Sequence, residues 1–351
     1  VIATMLILEK KDISNPNPES EICFYRIDKN IIDLTTEETE DLINSVVLKE
    51  VQNTEFIIMQ KYSREQLKKI EEKGICLNAV VHNIEWLNDI HDFLEPITNE
   101  LDMVRGERTG KNEMFYIKDD TTISEQYLYP MLKTSQNIKG LTANSDMKAF
   151  CCNKTIHELK EENDEGTLRW IRKFSDENYN PIPKSINYSP WYQMPSSNRA
   201  DLITSENPDK RLFIAELNES VLVDQRLIAM RFKETVCNKE LIFALLNSIY
   251  GMFAIEANGF GRGQGVLDIS KTRFEKVYMI NPNIFSEEDA NEIIKLFQKL
   301  KSRRVLNVQE ELEMQDREAF DRKVLCSIGC EHLYEKIKES ILSMQHTRHQ
   351  L

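Results

Sequence analysis

Eight residues, RGERTGKN (Arg105–Asn112), concentrate side chains that grip anions and flat hydrogen-bonding edges. Arg105 and Arg108 bring guanidinium forks, Lys111 an ammonium, Thr109 a hydroxyl and Asn112 an amide, the set that meets phosphate oxygens and base edges. Taken alone, a charged turn is a solvated turn more often than a recognition loop. Two further segments repeat the mixture: KTSQNIKG (Lys133–Gly140), with Lys133 and Lys139, and SKTRFEK (Ser270–Lys276), with Lys271 and Arg273. Three such segments in one region strengthen the case for a polyanion-binding surface. Arg262 is the one cation of GFGRGQG (Gly259–Gly265), which holds four of the eleven glycines. A dinucleotide cradle fails on spacing, because G-x-G-x-x-G would need glycine at 264 or 266, which are Gln264 and Val266. Two readings stay open for it, a structural hairpin loop and a loop whose backbone approaches another molecule closely.

Catalytic patterns are thin. No G-x-S-x-G, H-E-x-x-H or P-loop spacing occurs, and the six histidines form no cluster. Asp146 followed by Glu158 and Lys160 has the order of a Mg²⁺-dependent nuclease site, a pattern that arises easily in a chain rich in Glu and Lys. Cys326 and Cys330 lie four apart with His332 nearby, but no second ligand pair follows, so zinc is disfavoured. Seven irregularly spaced cysteines fit reduced thiols and a cytoplasmic protein. No apolar run reaches membrane-spanning length. On motifs alone the chain has no convincing catalytic constellation, no metal site and no cofactor site.

The net charge of −13 argues against a polyanionic partner until its distribution is considered. Residues 1–130 carry 14 Lys/Arg against 26 Asp/Glu, and residues 131–351 carry 31 against 32. The acidity is gathered at the front, and the rest can present a locally basic face.

The elements that must position these segments change character along the chain. VIATMLIL (Val1–Leu8) reads as a strand buried on both faces, EICFYRI and EFIIMQ as further strands, and TTEETEDLINSVVLKE as a helix with cap-competent threonines. SREQLKKIEEKG reads as a helix stopped by Gly74. From about residue 100 to Pro282 short strand-like runs and aromatic-Pro clusters such as YSPWYQMP prevail. One helix is clear there, ELIFALLNSIYGMF, apolar nearly all round and so buried, and VLDISKTRFEKVYMI reads as extended. From Ser286 onward the pattern is helical.

The order of segments resembles the C-terminal part of adenine-N6 DNA methyltransferases from bacterial restriction–modification systems, those with a TaqI-like specificity domain. VIATMLILEKK is similar to a late strand of the methyltransferase sheet, VRGERTGKNEMFYI to the phrase opening the specificity domain, and YLYPMLKTSQNIKGL to the next. EGTLRWI, ALLNSIYGMFAIE, the glycine loop with LDISKTRFEKVYMINP, and DREAFDRKVLCSIG follow in the same order. The resemblance implies an α/β plus α+β chain in four parts. These are 1–60, the end of a Rossmann-like methyltransferase domain; 61–100, a helical connector; 101–283, a target-recognition domain; and 284–351, a helical region. It also implies double-stranded DNA as partner, with Arg105, Arg108, Thr109, Lys111, Asn112, Lys133, Lys139, Arg262, Lys271 and Arg273 facing it. The family's Asn-Pro-Pro-Tyr motif and its early glycine-rich S-adenosylmethionine motif are absent. The resemblance places both before Val1, in a catalytic half of the same polypeptide, so S-adenosylmethionine is implied for that longer parent and not for this chain. Two rival readings are a protein-interaction scaffold and a nuclease using Asp146, Glu158 and Lys160.

Overall fold

The computed structural model describes residues 21–50, 55–118, 122–261 and 265–349. The expected strand Val1–Leu8 lies outside the described residues. At the front, β1 (Ile22–Ile27) and β2 (Ile57–Tyr62) pair antiparallel from Ile22↔Tyr62 to Ile27↔Ile57. Between them runs α1 (Thr36–Leu48), opened by a capping box in which Thr35 accepts from Glu38 N–H and the Glu38 carboxylate accepts from Thr35 N–H. The same device, Ser63 with Gln66, starts α2 (Arg64–Glu72), and Gly74 at φ +73° turns the chain away from it.

After α3 (Leu87–Ile90) and β3 (Leu94–Pro96) come β4 (Leu101–Val104), α4 (Asn112–Phe115), β5 (Tyr116–Ile117), β6 (Leu128–Leu132), β7 (Thr142–Ala143) and β8 (Met147–Phe150). Then follow α5 (Ile156–Glu161), α6 (Glu165–Arg172), β9 (Arg199–Ser205), β10 (Ala215–Val223) and β11 (Leu227–Phe232). The strands join in the order β4-β11-β9-β10-β6-β8-β5, with β7 added alongside β10. Pairing is antiparallel except where β10 meets β6 and β7. Alternation along β11 explains its central place. Ile228, Met230 and Phe232 enter the main core, while Leu227 and Ala229 enter a smaller one on the other side. A third core gathers α5, α6, the β5–β6–β8 end of the sheet and the aromatic segment around Tyr188–Tyr192.

The remaining elements are α7 (Lys239–Leu246), α8 (Ile249–Asn258), β12 (Phe260–Gly261), β13 (Leu267–Asp268), α9 (Lys271–Phe274) and β14 (Tyr278–Ile280), followed by α10 (Glu287–Lys301), α11 (Val308–Glu311), α12 (Gln315–Ser327) and α13 (Tyr334–His349). The main core draws side chains from Tyr62 through Met344. No single described helix is long and apolar enough to cross a membrane; α7 and α8 reach that composition only as a pair bent by 60°.

Two sequence expectations fail here for local reasons. The single apolar helix ELIFALLNSIYGMF is two helices, broken at Asn247 and Ser248. The Ser248 hydroxyl caps α8, and the Asn247 side chain leaves the helix to bond both the N–H and the carbonyl of Ile214. Within VLDISKTRFEKVYMI, read as extended, Ser270 caps the short helix α9 by accepting from Arg273 N–H.

The break rests on a buried ionic network. Asp321, fully buried, accepts from Ile249 N–H at 2.8 Å, and Arg317 donates to the Asn247 carbonyl at 2.6 Å. Glu311 pairs with Arg317 at 3.0 Å and Arg303 at 2.8 Å, and Arg303 also grips Asp316 at 2.6 Å. Burial pushes Asp321 up to about 7, opposed by Arg317. Burial works the same way on Glu311, but the two arginines hold it below the usual carboxylate range.

Candidate functional site

The loop Arg105–Asn112 leaves β4 and runs beside the tight turn Asp224–Arg226 that joins β10 to β11. Glu107 N–H donates to the Val223 carbonyl at 2.7 Å, and Gln225 N–H donates to the Glu107 carbonyl at 3.2 Å. Gly106 permits this approach, since a Cβ there would meet the Asp224 carbonyl oxygen at 2.5 Å. From Glu107 to Gly110 buried and exposed residues alternate. Arg105 and Arg108 are exposed, whereas Glu107 is 5% exposed and Thr109 1%.

The buried half of the loop is anchored by neutral donors. The Tyr188 hydroxyl donates to Glu107 Oε2 at 2.8 Å and the Asn198 amide to Oε1 at 3.0 Å. Tyr116 donates to Asp224 Oδ2 at 2.7 Å, and Arg226 N–H donates to Asp224 Oδ1 at 3.0 Å. Burial, and then the neighbouring carboxylate, raises the pKa of both phenols, so Tyr188 and Tyr116 remain protonated donors. Further along, Gly110 sits at φ +70° with its carbonyl accepting from the Ser185 hydroxyl at 2.6 Å. Thr109 donates to Asn112 Oδ1 at 2.5 Å, which occupies the amide's oxygen. Lys111 pairs with Glu113 at 2.6 Å. Residues 108–113 and Gln225 line an open depression of about 370 Å³.

The other cations divide. Lys133 belongs with the loop: its ammonium lies 5.8 Å from the centre of the Tyr116 ring, whose hydroxyl also reaches the Glu107 carbonyl at 3.3 Å. Lys139 is exposed further along the same β6–β7 connection, its carbonyl accepting from Val305 N–H at 2.8 Å. Lys271 and Arg273 are carried by α9. Lys271 lies 3.8 Å from Glu275, and the Arg273 guanidinium donates to Cys76 Sγ at 2.5 Å. Arg262 lies outside the described residues. The glycine segment joins the antiparallel pair β12 and β13, not a strand to a helix, and so lacks the geometry of a dinucleotide cradle. Sequence reading missed Gln225 and Arg226, which share the exposed rim with the loop, and it missed the anchors Glu107, Tyr188 and Asn198. The aromatic cluster around Tyr188 was the available signal.

The nuclease candidates have other duties. Asp146 accepts from Lys133 N–H at 2.8 Å, Glu158 completes the capping box of Thr155, and Lys160 lies 5.2 Å from the centre of the Tyr179 ring. Among the described residues no group of three His, Cys, Asp or Glu side chains is arranged to hold a metal ion. Cys330 is buried and Cys326 exposed.

No curated protein matches the chain. Among solved structures it is similar to the type IIG restriction endonuclease BpuSI, with a TM-score of 0.54 and 12% identity, over 94% of this chain and 40% of that one. At that identity the likeness speaks for the fold alone, and the chain spans less than half of the neighbour's length. The family described as "Type II methyltransferase M.Eco57I, C-terminal domain" matches residues 78–316, a span that includes the loop, its anchors and the central sheet. The chain belongs to this family of type II methyltransferase C-terminal domains.

Proposed function

We propose that the chain reads the target site in duplex DNA on behalf of an adenine-N6 DNA methyltransferase of a restriction–modification system, through a TaqI-like specificity domain. Modifying a base requires swinging it out of the stack at a cost of a few kcal/mol, and a clamp that engages fully only at the right sequence can offset that cost there. In this reading methyl transfer and S-adenosylmethionine binding belong to a catalytic half of the same longer polypeptide. That half and double-stranded DNA are the partners, and the setting is cytoplasmic. Residues 1–60 are the end of the catalytic domain, 61–100 a connector, 101–283 the recognition domain and 284–351 a helical support.

One observation carries the proposal. The Arg105–Asn112 loop holds two guanidiniums outward on a backbone that is bonded to Val223 and Gln225 and whose inward Glu107 carboxylate accepts from Tyr188 and Asn198. Arg105 and Arg108 are the candidates for base edges, because bidentate geometry discriminates among bases, and Asn112, its oxygen engaged by Thr109, is a candidate through its NH2 group. Lys111, Lys133, Lys139, Lys271 and Arg273 are candidates for phosphates, Thr109 supports the loop from within, and Arg262 is kept as a further contact. Replacing Arg105 by Ala is expected to cost roughly 1–3 kcal/mol on the cognate duplex and much less on a scrambled one. The cognate site is found by mapping methylation left by the full enzyme, and the two affinities are compared by anisotropy titration. Equal losses on both duplexes would remove Arg105 from the base-reading set.

A further inference from the structure

A second basic surface lies on α6. Arg169, Arg172 and Lys173 are spaced three and four apart, so they share one exposed face, opposite the buried Leu168 and Ile171. The helix is tied to the loop's far end: Trp170 Nε1 donates to the Met114 carbonyl at 3.0 Å. Lys173 is close enough for its charge to help lower the pKa of Glu113, behind the larger effect of Lys111. The surface therefore continues from Lys111 across Glu113 onto α6. Lys184 is exposed on the other flank, next to Ser185, whose hydroxyl holds the Gly110 carbonyl.

Two of these cations rest on aromatic rings, as several others in the molecule do. Arg172 lies 4.8 Å from the centre of the Tyr179 ring and donates to its hydroxyl at 3.1 Å. Lys173 lies 4.9 Å from the Trp170 ring and 5.7 Å from that of Phe174. Among the described residues none of the three makes an ion pair. The carboxylates nearby are largely committed, Glu113 to Lys111 and Asp176 to the N–H groups of Asn178 and Asn180 and the Asn180 amide. Glu165 and Glu177 remain exposed at the edges. Cations near a helix C-terminus gain a few tenths of a kcal/mol from the dipole, which gives no reason for three of them to share one face without counterions, two of them laid on aromatic rings. An aromatic shelf orients a cation yet leaves its charge uncompensated, as a polyanionic partner requires.

We infer that the α6 face is a second DNA track, meeting backbone phosphates outside the base pairs read by the Arg105–Asn112 loop and adding affinity without sequence preference. This rests on the recognition reading and extends its footprint to a new element. The test uses the whole 351-residue chain carrying Arg169→Ala, Arg172→Ala and Lys173→Ala together, with an unchanged Tm as the check on folding. Binding to a long duplex containing the site, and to a scrambled one, is measured across a salt series. The slope of log affinity against log salt is expected to fall in steepness by about 2–3, since each phosphate contact contributes ~0.9. Both affinities are expected to drop by the same factor, leaving their ratio unchanged, and a duplex trimmed to the site is expected to erase the difference. An unchanged slope with normal wild-type binding would overturn the track alone. Wild-type chain that shows no salt-dependent duplex binding would overturn the recognition reading as well. A variant that loses binding to an acidic peptide while keeping its DNA slope would reassign the face to a protein partner, against the inference.

Discussion

Two of the places where this molecule buries carboxylates solve the problem in opposite ways. Beneath the α7–α8 break, Glu311 and Asp321 are met by guanidiniums from Arg303 and Arg317. Beneath the Arg105–Asn112 loop, Glu107 and Asp224 are met by phenols, an amide and backbone N–H groups. A network that only has to hold helices together can use its arginines internally. On the reading proposed above, a loop that presents guanidiniums to DNA cannot use them as its own anchors, and its buried acids are satisfied by donors that carry no charge. Under that proposal, a buried acid held by neutral groups leaves the neighbouring exposed arginines for recognition.

The contrast can be broken from its stronger side first. Replacing Arg317 by Met leaves buried Asp321 with no guanidinium and Glu311 with Arg303 alone, and is expected to cost about 3–5 kcal/mol, read as a lower denaturation midpoint. Duplex affinity measured well below that midpoint should be unchanged. Replacing Glu107 by Ala leaves the Tyr188 hydroxyl and Asn198 amide without their acceptor, for ~1–3 kcal/mol of stability. Unlike the first variant, it should narrow the gap between cognate and scrambled duplexes; an intact gap would show that the loop does not depend on its anchor. Tyr188→Phe removes one donor and should lose roughly 1 kcal/mol with a smaller effect on discrimination.

The last variant separates the networks by pH. Folded Asp321 titrates near about 7 against an ordinary carboxylate value of 3.8, so its contribution is complete below that ordinary value and is lost as pH rises through the folded one. Asp321→Asn keeps an oxygen for Ile249 N–H and should flatten this decline between pH 4 and 7. A Tm profile as steep as that of the wild type would place the titrating group elsewhere.

Features decided within a few residues were readable in advance, because side chain and backbone partner lie in one turn. The boxes Thr35 with Glu38 and Ser63 with Gln66, and the Ser286 cap over Asp289, are of this kind. The α7–α8 break was missed because apolarity all round a helix hides an interruption, and the Asn247-Ser248 pair signals one only once Ile214 and Asp321 are in place. Ser270 was a readable cap that the extended interpretation of its neighbours overrode. At the candidate site, cation types and spacing pointed to the loop. The partners of Glu107 lie 81 and 91 residues downstream, and no local pattern links them. Lys133 and Lys271 looked alike as sequence, yet one stands over Tyr116 and the other on a separate helix.

The main core also has a consequence for how the molecule is made. Trp86 donates to the Ser340 hydroxyl across 254 residues, and Ile337, Ile341 and Met344 of α13 complete the packing begun near Tyr62. At roughly 5–20 residues per second of synthesis, the front half waits on the order of ten seconds or more for the helix that seals it. From its own synthesis until that of α13, the apolar side of α8 also stays uncovered, so in the cell this chain should depend on chaperones more than its finished stability would indicate.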